Sequence, residues 1–245
     1  MRSRTASWMA PAMAPAIVAA VLLLALVVGL VVLIDADLLR PFDAGLISRI
    51  RAEPLVAPLG WLRSATELGA TETIALLALA VGAVELRAGR PLLAAASAAT
   101  IGLAALANST FKLVVARPRP DELAPIVVEP GYSFPSGHSL SAVVAYGVIA
   151  ILVTRSNLAP GARAAIVVAL GLVVLAVGVS RVYLGVHYPS DVLGGWLTGL
   201  AWVVVFAAAS ARLDPRLSGP RARERGATAA RAGPAGRRSG QPGPG

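Results

Sequence analysis

Apolar residues run in six blocks along the chain, at about 16–34, 70–86, 92–114, 138–154, 164–184 and 191–210. Crossing a hydrocarbon core of about 30 Å takes roughly 20 helical residues at about 1.5 Å each. The pattern therefore predicts an all-α integral membrane protein, a six-transmembrane-helix bundle. The second block is the weakest: its uncharged core between Glu72 and Glu85 is 12 residues, the length of a short tilted or interfacial helix. The first block follows Arg2 and Arg4 and so mimics a secretory signal. Its 19 residues exceed an h-region of roughly 7 to 15, and Asp35-Ala36-Asp37 is a poor cleavage site, so it reads as an uncleaved span.

Residues 35–69 are mixed, with prolines at 41, 54 and 58 and arginines at 40, 49, 51 and 63. Leu46, Ile47, Ile50, Leu55, Leu59 and Leu62 suggest short amphipathic helices lying along the membrane surface, an irregular loop being the alternative. Past residue 210 the chain is rich in Arg, Gly, Pro and Ala without apolar periodicity, which predicts disorder. The expected organisation is an N-terminal segment (1–15), a first span with its interfacial segment (16–69), a five-helix core (70–210) and a basic disordered tail (211–245).

Composition agrees: 56% hydrophobic, 14% charged and a mean hydropathy of +0.73 set the chain apart from an average soluble domain. Cysteine is absent, which excludes disulfides and thiolate metal sites. The net charge of +9 does not argue for nucleic acid, because eight of the 21 arginines lie in the tail. There they fit attraction to anionic lipid or retention of topology. Arg2, Arg4, Arg87, Arg90, Arg155 and Arg163 fall in connections that the positive-inside rule assigns to the cytoplasm. Both termini are then cytoplasmic. Arginines 40 to 63, 117, 119 and 181 oppose the rule and fall on the extracytoplasmic face.

The chain's one lysine and its two histidines gather in three short stretches, Lys112-x6-Arg119-Pro120, Pro135-Ser136-Gly137-His138 and Ser180-Arg181-x5-His187-x3-Asp191. If the helix continues, Lys112 and Arg119 project from one face two turns apart, able to grip one anion. Arg117 offers a competing Lys-x4-Arg-Pro register but lies about 140° round such a helix. Pro118 and Pro120 stop the helix. Ser136 to His138 read as a loop entering a helix, whose N-terminal amides suit an anion. Gly137 allows close backbone approach to a phosphate, and the Ser136 hydroxyl can donate to it. Arg181 offers a planar fork to a phosphate. Asp191, four residues after His187, can reach its second ring nitrogen and fix the tautomer. Spans four and five separate the second and third stretches, so both lie on one face.

The three stretches resemble the three-part signature of the type 2 phosphatidic acid phosphatase superfamily, which includes membrane lipid phosphatases and soluble vanadium haloperoxidases. The resemblance covers about 91–210 and has no departure at any motif position. It implies a phosphohistidine mechanism, with His187 as nucleophile, His138 as general acid and Asp191 as the partner of His187. Lys112, Arg119, Ser136, Gly137 and Arg181 would bind the phosphate. No metal or cofactor is implied. Asp121 and Tyr183, beside motif residues, stay outside the catalytic set.

The expected substrate is a membrane lipid phosphate or diphosphate presented at the outer leaflet of the cell membrane. The resemblance implies phosphatidic acid, phosphatidylglycerol phosphate or undecaprenyl diphosphate. The same phosphohistidine also fits a lipid phosphotransferase. A haloperoxidase fits poorly with six apolar spans, and a non-enzymatic anion-binding membrane protein leaves the His187-Asp191 spacing unexplained. Oligomeric state has no signal in the sequence.

Overall fold

The computed structural model describes residues 10–52, 59–120 and 126–213. Among them are eight helices and no strand: α1 (Ala10–Asp35), α2 (Arg40–Ala52), α3 (Leu59–Glu67), α4 (Thr71–Arg87), α5 (Pro91–Val115), α6 (Gly137–Thr154), α7 (Pro160–Tyr183) and α8 (Pro189–Leu213). The fold is the expected all-α helical bundle. Arg2, Arg4, Pro54, Leu55, Pro58, Asp121 and the tail from residue 214 lie outside the described residues.

Five helices are long and apolar enough to cross a membrane: α1 from Met13, α5, α6, α7 and α8. The second block differs from a simple span. Here α4 has 17 residues, and α3 precedes it across a short break at which the two helices are bent by 47°. The bend follows from sequence: the 12-residue uncharged core is too short to cross alone, and Leu68-Gly69-Ala70 interrupts the helix. The described part of the linker is helical, as the amphipathic spacing suggests. The α2 residue Ile47 packs with Val182, Tyr188 and Val192, so this surface helix lies against the α7–α8 connection.

Helix α6 is central, packed against α4, α5, α7 and α8, while α1 lies along α8 and α3 along α7. Leu140, Val144 and Ala145 of α6 meet Ile74, Ile101 and Ala104 in the largest buried cluster. In lipid, where apolar burial drives association weakly, small residues allow helices to approach closely. Two glycines at the start of α8 do this beside the motifs. A Cβ on Gly195 would stand 2.7 Å from the Ser136 carbonyl oxygen, and one on Gly194 would stand 2.5 Å from the Phe134 ring. The large hydrophobics of α1, such as Val21, Leu22, Leu26 and Val28, face outward as a lipid-exposed surface requires.

The motif-bearing end is closed by irregular segments. Helix α5 ends at Val115, because Ala116 takes the left-handed conformation (φ 50°) while its N–H bonds the Lys112 carbonyl at 3.0 Å. That geometry costs a non-glycine residue about 1–2 kcal/mol. It is compatible with Arg117 preceding a proline, where the helical conformation is disfavoured. The loop beyond is tied back by the Ser133 N–H to the Arg117 carbonyl at 2.8 Å and the Ser133 hydroxyl to the Pro118 carbonyl at 2.9 Å. The Ser136 N–H donates to the Asp191 carbonyl at 3.0 Å, joining the second motif to the third.

Candidate active site

His187 sits in the five-residue turn between α7 and α8, 1% exposed. Pro189 starts α8, and Asp191 in its first turn accepts the Tyr188 N–H on Oδ2 at 2.9 Å, so the turn and the carboxylate fix each other. The same Oδ2 lies 3.5 Å from His187 Nδ1. This is an ion-pair distance, longer than a full hydrogen bond, of the kind that tightens when the ring becomes charged. On the other side, His187 Nε2 lies 3.4 Å from Arg119 Nη1. These neighbours favour the tautomer with its hydrogen on Nδ1 and a lone pair on Nε2. Burial lowers the His187 pKa to about 4 against the opposing pull of Asp191, so the ring is neutral at physiological pH.

The expected phosphate-binding cations meet on the connection between α5 and α6, with Arg119 against this nitrogen. Arg181, in the last turn of α7, is 1% exposed and donates to the Thr66 hydroxyl at 2.7 Å and to Glu129. Arg119 donates to the Gly131, Val186 and Pro130 carbonyls at 3.1, 2.7 and 3.1 Å, and pairs with Glu129 at 3.3 Å. Lys112 Nζ donates to the Tyr132 carbonyl at 2.6 Å. All three cations therefore engage residues 129–132 of the connection between α5 and α6. Burial pushes the Glu129 carboxyl upward, but the Arg181 charge and hydrogen bond hold it below the ordinary carboxylate range. An anion already lies between the two arginines, and it belongs to the chain.

Ser136 caps α6 from an extended conformation, and no side chain caps the helix N-terminus. Gly137 is needed there, since a Cβ would stand 3.0 Å from Asn108 Nδ2. The Ser136 hydroxyl accepts a hydrogen bond from Ser139 at 3.0 Å, leaving its own hydrogen free to turn toward an anion. His138 follows within the charge field of Arg181, Glu129, His187 and Lys112.

Lys112, Arg119 and Arg181 thus meet on one connection, with Arg119 beside His187 and its partner Asp191, while Ser136 is joined to Asp191 through its backbone and His138 lies within the same charge field. Lys112 and Arg119 do not share a helical face, because α5 ends before Arg119; what they share instead is the connection before α6, where Lys112 bonds the Tyr132 carbonyl and Arg119 the Gly131 and Pro130 carbonyls. For the same reason the offset of about 140° that separates Arg117 from Lys112 on an ideal helix does not apply. Arg119 remains the arginine beside His187, while Arg117 bonds Asp191 Oδ1 at 2.6 Å and Asp43 Oδ2 at 2.8 Å. The sequence reading left Asp43, Thr66, Asn108 and Glu129 unmarked. Asp43, the one acidic residue among the arginines of 40–51, carried a faint signal. The cluster can hold a tetrahedral anion against a neutral imidazole nitrogen, with cations and helix amides around its oxygens.

Residues 93–214 match the family model described as the PAP2 superfamily. Over 96 residues, 39% of this chain and 47% of the relative, the sequence is 45% identical to phosphatidylglycerophosphatase B of Bacillus subtilis (strain 168). Over 107 residues, 41% of this chain and 47% of the relative, it is 35% identical to an undecaprenyl-diphosphatase of Sulfolobus acidocaldarius. The chain spans about half the length of these curated relatives. Among solved structures it is similar to a transmembrane PAP2 type phosphatidylglycerolphosphate phosphatase from Bacillus subtilis, with a TM-score of 0.69 and 28% identity, covering 78% of this chain and 94% of that one. It also shares the fold of Aquifex aeolicus LpxE, with a TM-score of 0.53 and 22% identity, covering 67% of this chain and 94% of that one.

Proposed function

The chain belongs to the PAP2 superfamily as a multi-pass membrane protein, and from that premise we propose that it is a lipid phosphate or diphosphate phosphatase working through a phosphohistidine. The observation that carries this reading is the placement of His187, its Nε2 against Arg119 and its Nδ1 against Asp191. A neutral, oriented imidazole needs no deprotonation before it attacks.

In the first step the Nε2 lone pair forms a bond to phosphorus and the bond to the leaving oxygen breaks. His138 supplies the proton that oxygen needs. Lys112, Arg119, Arg181 and the amides at the start of α6 offset the charge on the remaining phosphoryl oxygens. Asp191 stabilises the cationic ring that results. In the second step water attacks phosphorus, His138 takes its proton, the N–P bond breaks and inorganic phosphate leaves.

The substrate is a phosphorylated lipid, its phosphate in the polar cluster and its tail among the surrounding apolar helices. Phosphatidylglycerol phosphate and undecaprenyl diphosphate head the candidates, in line with the names of the relatives, with phosphatidic acid next. The positions of Arg87, Arg90, Arg155 and Arg163 support cytoplasmic termini and an extracytoplasmic site in the cell membrane. Phosphate release by the detergent-solubilised protein from these three lipids tests the reading. Release abolished in His187→Ala is expected; unchanged release in that variant would overturn the phosphohistidine.

A further inference from the structure

Behind the His187–Asp191 pair lies a second polar cluster, which joins Asp191 to three residues that no motif specifies, Asp43, Arg117 and Ser190. Asp43, Arg117, Ser190 and Asp191 are all buried, and both carboxylates are 0% exposed. Arg117 Nη1 donates to Asp191 Oδ1 at 2.6 Å and to the Ser190 hydroxyl at 2.7 Å, and Nη2 donates to Asp43 Oδ2 at 2.8 Å. The Ser190 hydroxyl and N–H in turn donate to Asp43 at 2.5 and 3.0 Å. The Arg117 guanidinium lies 4.0 Å over the Tyr188 ring, which confines its fork from the open side. Three distant parts of the chain meet here: α2, the segment after α5, and the start of α8.

The charge count gives this cluster a role beyond cohesion. One guanidinium faces two carboxylates, so the group is net negative by one charge before His187 is included. With Asp43 absent, Arg117 would neutralise Asp191 one for one. By engaging Arg117 from the far side, Asp43 leaves Asp191 with an uncompensated share of charge directed at His187 Nδ1. Resting on the reading of His187 as nucleophile, we propose that Asp43 and Arg117 are positioning residues, which hold Asp191 in place and keep it negative enough to stabilise the cationic, phosphorylated ring. The membrane-surface helix α2 thereby becomes part of the catalytic apparatus although it touches no substrate.

Residues that orient a catalytic ligand from behind commonly change activity by about 10- to 100-fold when removed. In the full-length protein in detergent, Asp43→Asn is expected to lower kcat for phosphate release about tenfold, near the lower end of that range, with KM and vanadate inhibition nearly unchanged. Asp43→Glu should restore most of kcat by returning the charge. Ser190→Ala, which removes hydrogen bonds but no charge, should fall between the two.

A readout that needs no turnover is the 15N resonance of the His187 imidazole against pH in nanodiscs. The charged and titratable groups around that ring are Asp191 from α8, Arg181 from α7, Lys112 from α5, Arg119 from the segment beyond it, Glu129 from the connection between α5 and α6, and His138 from α6. All six are unchanged in Asp43→Asn, so a lower His187 midpoint in that variant is expected and reports the loss of negative charge. An unmoved midpoint would overturn the proposal, whether or not the protein releases phosphate. So would a loss of kcat accompanied by equal loss of vanadate affinity and melting temperature, since that marks a purely structural cluster. If the wild type released no phosphate yet the midpoint moved, the phosphatase reading would fall and the charge coupling would stand.

Discussion

Arg117 and Arg119 stand two residues apart on the same non-helical segment, and they do opposite things. Arg117 faces the back of the His187–Asp191 pair, its donors committed to buried side chains that stay with the protein in every step. Arg119 faces the front, where its donors and those of Arg181 and Lys112 rest mainly on backbone carbonyls, Thr66 and Glu129. The back is a closed ionic cluster, whereas the front is the proposed phosphate site, where the Glu129 carboxylate now pairs with Arg119 and Arg181. A buried charge with fixed partners serves orientation; one whose partners can be exchanged serves binding.

The largest expected effect tests that division. Arg117→Met leaves two buried carboxylates without a counter-charge and should destabilise the protein by about 3–5 kcal/mol, read as thermal unfolding in detergent. Arg119→Met should barely move the unfolding temperature but should cost about 10²–10³ in kcat/KM, the scale for losing a donor to a transition-state oxyanion. Equal losses of stability in the two variants would erase the distinction between front and back.

The seam between the two regions comes next. In Gly195→Ala the new Cβ would meet the Ser136 carbonyl oxygen at 2.7 Å, so the second motif must shift away from α8. Overpacking of this kind costs about 1–3 kcal/mol. Displacing Ser136 and Gly137 should also lower kcat/KM by about tenfold, within the 10²-fold that a 1 Å misplacement can cost. Gly161, whose Cβ would meet nothing within 4 Å, provides the control, and its alanine variant should behave as wild type.

The pH response sharpens the contrast further. The folded His187 pKa of about 4 lies below its ordinary value of 6.5. As pH falls from 6.5 towards 4 the unfolded chain takes up a proton that folded His187 refuses. Its contribution to stability is therefore full above 6.5 and declines by up to about 1.4 kcal/mol per unit below. The acid limb of kcat/KM assigned to His187 should likewise lie well below 6.5, checked with a substrate analogue whose own ionisation is constant in that range.

The smallest effect concerns Glu129. Glu129→Gln removes the carboxylate between Arg181 and Arg119, which any incoming phosphate must displace. Because these pairs are partly solvated, the gain should be modest: vanadate inhibition several-fold tighter, within the range of roughly 1 kcal/mol for such a pair, and KM lower. Weaker vanadate inhibition would instead make Glu129 part of the binding site.

The front of the site was legible in the sequence because its residues lie in three compact stretches of unusual chemistry, and the apolar blocks bring those stretches to one side of the bundle. The back was not. Asp43 meets Arg117 across 74 positions, and a single aspartate in an arginine-rich linker has no periodicity to declare it. The direction of Arg117 does not follow from spacing, because the helix that would set it breaks at Ala116. Glu129 lies in a connection where neither helix nor strand period applies. The bent α3–α4 pair shows the same limit: the short uncharged core of α4 is visible in the pattern, but the helix α3 that precedes it at a 47° bend is hidden in the mixed linker.

The central claim is that His187 carries the phosphoryl group, and rapid chemical quench with a lipid phosphate labelled at phosphorus tests it most directly. A base-stable, acid-labile label is expected on the wild-type chain within one turnover, mapped to the peptide containing His187 and absent from His187→Ala. Phosphate release at full rate with no such label, or a label on another residue, would contradict it.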